Sequence, residues 1–180
     1  MKYLYCIFLV PLFISFDVAP LGKSTEEINW MTWDEMVKAN SQKEKKIIVD
    51  VFTDWCSWCK VMDKQTFAND TITRYINEHF YAVKLNAEQK ERIQWAGQEF
   101  KWVANGQNGI HTLAYALCDG KMSYPSLVYL NEKLERITIS KGFKDVPSLL
   151  VELKFAVEEQ YLENSRSGTS TLTPIMDGRQ

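Results

Sequence analysis

Apolar residues follow two rhythms along this chain, one of period two and one of period 3.6. Ile47 to Phe52 is β-branched and aromatic, broken only by Asp50, which is the composition of a buried strand. Lys60 to Phe67 contains no Gly or Pro and predicts a helix directly after that strand. Asn69-Asp70 offers an N-cap, and Ile72, Tyr75, Ile76, His79 and Phe80 then recur at i, i+3, i+4, i+7 and i+8, a helical stripe. Tyr81 to Asn86 predicts the next strand. Upstream, Thr32-Trp33-Asp34-Glu35 forms a capping box that starts a short helix reaching about Asn40. Ser41 to Lys46 is a polar, lysine-rich turn into the first strand.

Further along, Ile93, Ala96, Phe100 and Val103 predict a helix that stops before the loop Asn105-Gly106-Gln107-Asn108-Gly109. Ile110, Leu113, Ala114 and Leu117 predict a second short helix, ended by Asp119-Gly120. Leu127 to Leu130, then Asn131-Glu132-Lys133, then Arg136 to Ile139 reads as a β-hairpin. Leu149, Leu150, Leu153, Ala156, Val157 and Tyr161 line a C-terminal helix. From 163 to 180, Ser, Thr, Gly and Pro dominate, and the segment reads as a disordered tail. No internal repeat is present. Two strands joined by helices suit parallel pairing through a right-handed crossover, and the hairpin adds antiparallel strands. The fold class is therefore α/β: a mixed sheet with helices on both faces.

The first residues follow a different pattern. Lys2 precedes Tyr3 to Phe16, fourteen residues without a charge, the shape of a signal-peptide n-region and h-region. The run is short for a membrane span. Asp17 to Gly22 offers no clean small-x-small cleavage site, so an uncleaved anchor is the alternative. The expectation is a signal peptide over 1–22, a domain over 25–162, and an exported protein, periplasmic or secreted. Cys6 lies inside the apolar run and reads as a passenger. That leaves Cys56, Cys59 and Cys118, too few for a disulfide-stapled scaffold. A net charge of −2 gives no basic patch, which argues against nucleic acid and limits membrane contact to the N-terminal segment.

The candidate chemistry is Trp55-Cys56-Ser57-Trp58-Cys59-Lys60. Two cysteines at this spacing can close a disulfide or chelate a metal. A zinc knuckle wants a second ligand pair, and none exists; a c-type haem site wants His where Lys60 stands. The pair sits where a strand feeds a helix N-terminus, whose free N–H groups and dipole stabilise a thiolate on Cys56. A permanent structural disulfide and metal binding remain the alternatives. Asp50, inside an apolar strand, is expensive unless it is paired or protonated. Cys118 reads as a buried free thiol, with a third redox thiol as its alternative, and His79 and His111 read as structural.

Three matches in the right order give the chain a family likeness. IIVDVFTDWCSWCK resembles the active-site segment of the thioredoxin superfamily, with Asp50 six residues before Cys56 where thioredoxins carry a buried acid. AVKLNAE resembles the next thioredoxin strand, with Lys84 at the position of the lysine that pairs with that acid. Ser123-Tyr124-Pro125-Ser126 resembles the cis-proline loop. The resemblance covers residues 30 to 162, and within the superfamily it is greatest to exported bacterial thioredoxin-like proteins with a WCxWC active site. The dipeptide Ser57-Trp58 departs from the Gly-Pro of thioredoxin, and the stretch from 88 to 121 is an insert, expected helical, before the cis-proline loop.

The resemblance implies a thioredoxin fold and a redox-active disulfide between Cys56 and Cys59. It makes Cys56 the nucleophile, Cys59 the more buried resolving thiol, Asp50 its proton acceptor and Lys84 the partner that tunes Asp50. Tyr124 and Pro125 would bind an extended substrate beside the dithiol. Trp55, packed partly on the fold, and Trp58, exposed, would flank it. Strong oxidants of the superfamily carry His within the dipeptide, which this chain lacks. The activity implied is thiol–disulfide oxidoreduction of protein or peptide disulfides, as reductase or isomerase, fed by an upstream thiol donor, with no cofactor or metal. The rivals are a non-catalytic client-binding module and a metal chaperone using the pair.

Overall fold

The structure is a computed structural model and describes residues 26–106 and 108–162. The expected signal peptide and C-terminal tail lie outside the described residues. A five-stranded sheet carries the fold, in the order β1 (Trp30–Met31), β3 (Phe80–Asn86), β2 (Lys46–Phe52), β8 (Ser126–Leu130) and β9 (Arg136–Lys141). β1, β3 and β2 run parallel, and β8 and β9 are antiparallel, so the sheet is mixed as the periodicity predicts. The two-residue strand β1 had no signal of its own in the sequence.

Helices cover both faces because β2 is apolar on both. Ile47, Val49 and Val51 point to one core, which Trp33 and Met36 of α1 (Trp33–Gln42) and Leu113 and Leu117 of α4 (Thr112–Leu117) complete. Ile48 points to the other, shared with Met62 of α2 (Ser57–Met62), Ile72 and Ile76 of α3 (Asp70–His79), and Leu149 and Leu153 of α5 (Val146–Val157). The cap signals act as read. The Thr32–Glu35 box closes in both directions, and the Asn69 side chain accepts from Thr71 and Ile72 N–H. The hairpin β8–β9 is present, and α5 ends at Val157, short of Tyr161.

Two readings are corrected. The helix over Lys60 to Phe67 is not continuous: α2 gives way to a π-helical turn, Asp63–Phe67. The expected helix through Ile93, Ala96, Phe100 and Val103 does not exist. Those residues build two hairpins, β4 (Ile93–Trp95) with β5 (Gln98–Phe100), and β6 (Trp102–Asn105) with β7 (Asn108–His111). Among its described residues, the regular structure of the insert before the cis-proline loop is thus more β than helical, with α4 the one helix, starting at Thr112 rather than Ile110. The physical reason is the turn at Ala96-Gly97, where both residues have positive φ, 51° and 78°. That conformation closes a two-residue hairpin and cannot continue a helix. Buried Ile93 and Phe100 reach the first core from paired strands.

The hairpins are fastened beside the end of β3. His111 N–H donates to Ala87 O at 2.7 Å, and its ring lies between Glu91 O (3.0 Å, Nε2) and Leu113 N–H (3.3 Å, Nδ1). His111 therefore caps α4, a structural role as expected, and burial lowers its pKa. His79 packs against Tyr75, the ring planes tilted by 48°.

Candidate active site

The site begins where β2 ends. The Cys56 N–H donates to Thr53 O at 3.1 Å, which turns the chain, and Cys56 then serves as N-cap of α2, its Sγ accepting from Cys59 N–H at 3.1 Å. A sulfur at an N-cap faces the unpaired N–H groups and positive end of the helix. Cys56 and Cys59 are joined in a disulfide. The expected difference in burial between them is not found: Cys56 is 4% exposed and Cys59 3%. Position on the helix, not exposure, distinguishes them.

Asp50 and Lys84 meet by strand geometry. They are register partners in the parallel pair β2–β3, so their side chains leave one face of the sheet. Lys84 Nζ lies 2.7 Å from Asp50 Oδ2. Asp50 is 1% exposed, and its Oδ1 is buried with no hydrogen-bond partner among the described residues. Burial raises the Asp50 pKa above the ordinary carboxylate value, and the Lys84 ammonium opposes without cancelling it. Burial also works against the Lys84 charge, but Asp50 and Asp63 outweigh it and Lys84 stays cationic.

Asp63 is the residue that the sequence reading missed. Its carboxylate hydrogen-bonds Lys84 Nζ from the other side, so one ammonium bridges two carboxylates. A signal existed, because Asp63 stands at i+4 from Cys59 and so shares its helix face.

The rim is aromatic. Trp55 and Trp58 are 63% and 61% exposed, so the expected partial packing of Trp55 is slight. Its indole N–H donates to the Glu88 carboxylate (3.1 and 3.2 Å to the two oxygens), and its ring meets Tyr124 edge-on at 5.6 Å. Trp58 lies 5.5 Å from Phe143. The Tyr124–Pro125 bond is cis, as the resemblance implies. Pro125 precedes β8, whose Ser126 pairs with Val51, which brings the loop to the dithiol end of β2. Burial pushes the Tyr124 phenol up to about 12. Cys118 is a buried free thiol, pushed up to about 11 by burial, and inert in that state. Among the described residues no group of three or more His, Cys, Asp or Glu is placed to hold a metal.

A mixed sheet with helices on both faces and a CxxC pair at the start of the helix that follows β2 defines a thioredoxin-fold protein. The fold and its dithiol support a thiol–disulfide oxidoreductase role. Residues 21–173 match the Thioredox_DsbH model, described as a protein of unknown function, DUF255. The chain belongs to that family. Mouse spermatogenesis-associated protein 20 is 25% identical over 148 residues, 81% of this chain but 18% of that protein. An uncharacterized Caenorhabditis elegans protein, B0495.5, is 25% identical over 119 residues, 66% of this chain and 14% of that protein. The chain thus spans less than a fifth of these curated relatives. A putative disulphide-isomerase from Bacteroides thetaiotaomicron is structurally similar, with TM-score 0.53 and 26% identity over 74% of this chain and 96% of that one. A DsbH oxidoreductase shares the fold at TM-score 0.51, with 16% identity over 73% of this chain and 85% of that one.

Proposed function

We propose that this protein is an exported protein-disulfide reductase or isomerase. The observation that carries the reading is the Cys56 sulfur at the N-cap of α2, with Cys59 bonded to it and the buried Asp50–Lys84 pair on the same face of the sheet as α2. In the reduced protein, Cys56 attacks a substrate disulfide as thiolate. The substrate S–S bond breaks, a mixed disulfide forms through Cys56, and one substrate sulfur leaves and takes up a proton. Cys59 then gives its proton to Asp50 and attacks the Cys56 sulfur. The mixed disulfide breaks, the second substrate thiol leaves, and Cys56–Cys59 is oxidised. The substrate has gained two electrons, which an upstream dithiol donor must replace.

Asp50 suits its part because burial makes it a stronger base than an ordinary carboxylate. Trp55, Trp58, Tyr124 and Pro125 would receive the substrate, an extended peptide with apolar side chains near its disulfide. The size of the exposed Trp55 and Trp58 surface also favours a second reading, a client-binding module that holds unfolded chains without turnover. Reduction of insulin with a dithiol donor separates the two. A reductase accelerates precipitation of the insulin B chain, and Cys56→Ser abolishes the effect. A protein that binds insulin but leaves its disulfides intact is the second kind.

A further inference from the structure

We propose that Asp63 is a positioning residue for Asp50: it holds Lys84 from the solvent side and so sets how much of that ammonium's charge Asp50 receives. The proposal rests on the reading of Asp50 as proton acceptor for Cys59. Four observations carry it. First, Lys84 Nζ hydrogen-bonds both carboxylates, so its charge is divided between a fully buried group and one whose side chain is 43% exposed. Second, Lys84 is held independently of Asp63. Its Nζ lies over the rings of Trp30 (4.7 Å), Phe52 (5.2 Å) and Phe67 (5.2 Å), and each ring face attracts a cation.

Third, Asp63 is fixed to the dithiol helix. Its backbone N–H donates to the carbonyls of Cys59 and Lys60, and it opens the π-helical turn that ends α2. Such turns are uncommon and concentrate at functional sites. Fourth, Lys84 and Asp63 line a cleft of about 890 Å³ with Trp30 and Phe67, whereas Asp50 and the cysteines do not. The Lys84–Asp63 pair is therefore where the buried carboxylate's surroundings meet solvent.

The consequence has a definite sign. The charged groups acting on Asp50 are Lys84 from β3 and Asp63 from the π turn, while β8 pairs Leu127 beside it. Asp63 is a like charge, and it also occupies part of Lys84's hydrogen-bonding capacity. Both effects make Asp50 keep its proton more firmly. Removing the Asp63 charge while the three rings hold Lys84 in place gives Asp50 the whole ammonium and makes it a weaker base.

The test is a carbon-detected NMR titration of the Asp50 carboxyl in the oxidised full chain. Wild type, Asp63→Asn and Asp63→Glu are compared, with Asp63→Ser in reserve should the Asn variant fold poorly. The expected result is a midpoint at lower pH in the Asn or Ser variant, with restoration in Glu. In insulin turnover, the acid limb of the pH–rate profile of Asp63→Asn should move to lower pH by the same amount. A purely structural role would leave that limb in place. An unmoved midpoint overturns the proposal, and so does a rise, which would mean that Lys84 had left Asp50. Turnover by Asp50→Asn judges the underlying reading separately. If that variant keeps full activity, Asp50 is no proton acceptor, whereas the titration still decides whether Asp63 governs Asp50.

Discussion

Cys56 and Cys59 are equally buried in the oxidised protein, so only the helix-start position of Cys56 assigns it as nucleophile. After reduction, iodoacetamide near neutral pH should modify Cys56 well before Cys59, read by peptide mass. Cys59→Ser should accumulate mixed disulfides through Cys56, and faster labelling of Cys59 would reverse the assignment. Asp50 makes a stability prediction whose sign follows from its raised pKa. The native state binds the Asp50 proton more tightly than the unfolded chain, so stability falls as pH rises from the ordinary carboxylate value, 3.8, through the native one. Asp50→Asn should therefore be more stable than wild type near pH 8, on the order of 1 kcal/mol, while turning over more slowly. The advantage should fade toward pH 3, and denaturant unfolding at both pH values checks it. Asp50 stood out in the sequence as an acid inside an apolar strand, and its pairing with Lys84 was implied by the thioredoxin resemblance; the parallel register of β2 and β3 is what places the two side by side. Asp63 was legible only as a neighbour of Cys59 on the helix face; that it shares Lys84 with Asp50 depends on a contact between the π turn and β3, which sequence spacing does not encode.

Elements were legible where one periodicity stood alone. β2, β3, α1, α3, the β8–β9 hairpin and the α5 stripe each carry a single pattern, and α1 and α3 also carry N-cap signals. The insert did not, because the spacing of Ile93, Ala96, Phe100 and Val103 mimics a helix while its residues alternate across two tight hairpins. The decisive signal was two residues wide, Ala96-Gly97, and Ala is a weak marker for positive φ. One residue tests the second hairpin. The Trp102 indole of β6 occupies the space beside Gly109 of β7, and a Cβ at 109 would come within 2.0 Å of it. Gly109→Ala should cost about 1–3 kcal/mol of local stability. Hydrogen exchange should show faster opening of the amides of 102–111, with the β2 amides unchanged. Unchanged exchange would mean that the ring has room to move.

At the scale of the whole molecule, the question is which way electrons flow. Ser57-Trp58 carries no charge, and a solvated Lys60 is screened and counts for little. The buried Asp50 carboxylate, when ionised, disfavours a second negative charge nearby. The thiolate is therefore stabilised mainly by the α2 N-terminus, the dithiol form is only modestly favoured, and the couple should be reducing. Equilibrating the folded protein with glutathione buffers and counting thiols by mass tests this account most directly. It predicts that Cys56 and Cys59 change together in one two-electron step, with Cys118 untouched and a midpoint more reducing than about −180 mV. A pair that does not exchange with glutathione while the protein stays folded would contradict the account, and a midpoint near about −120 mV would contradict its direction.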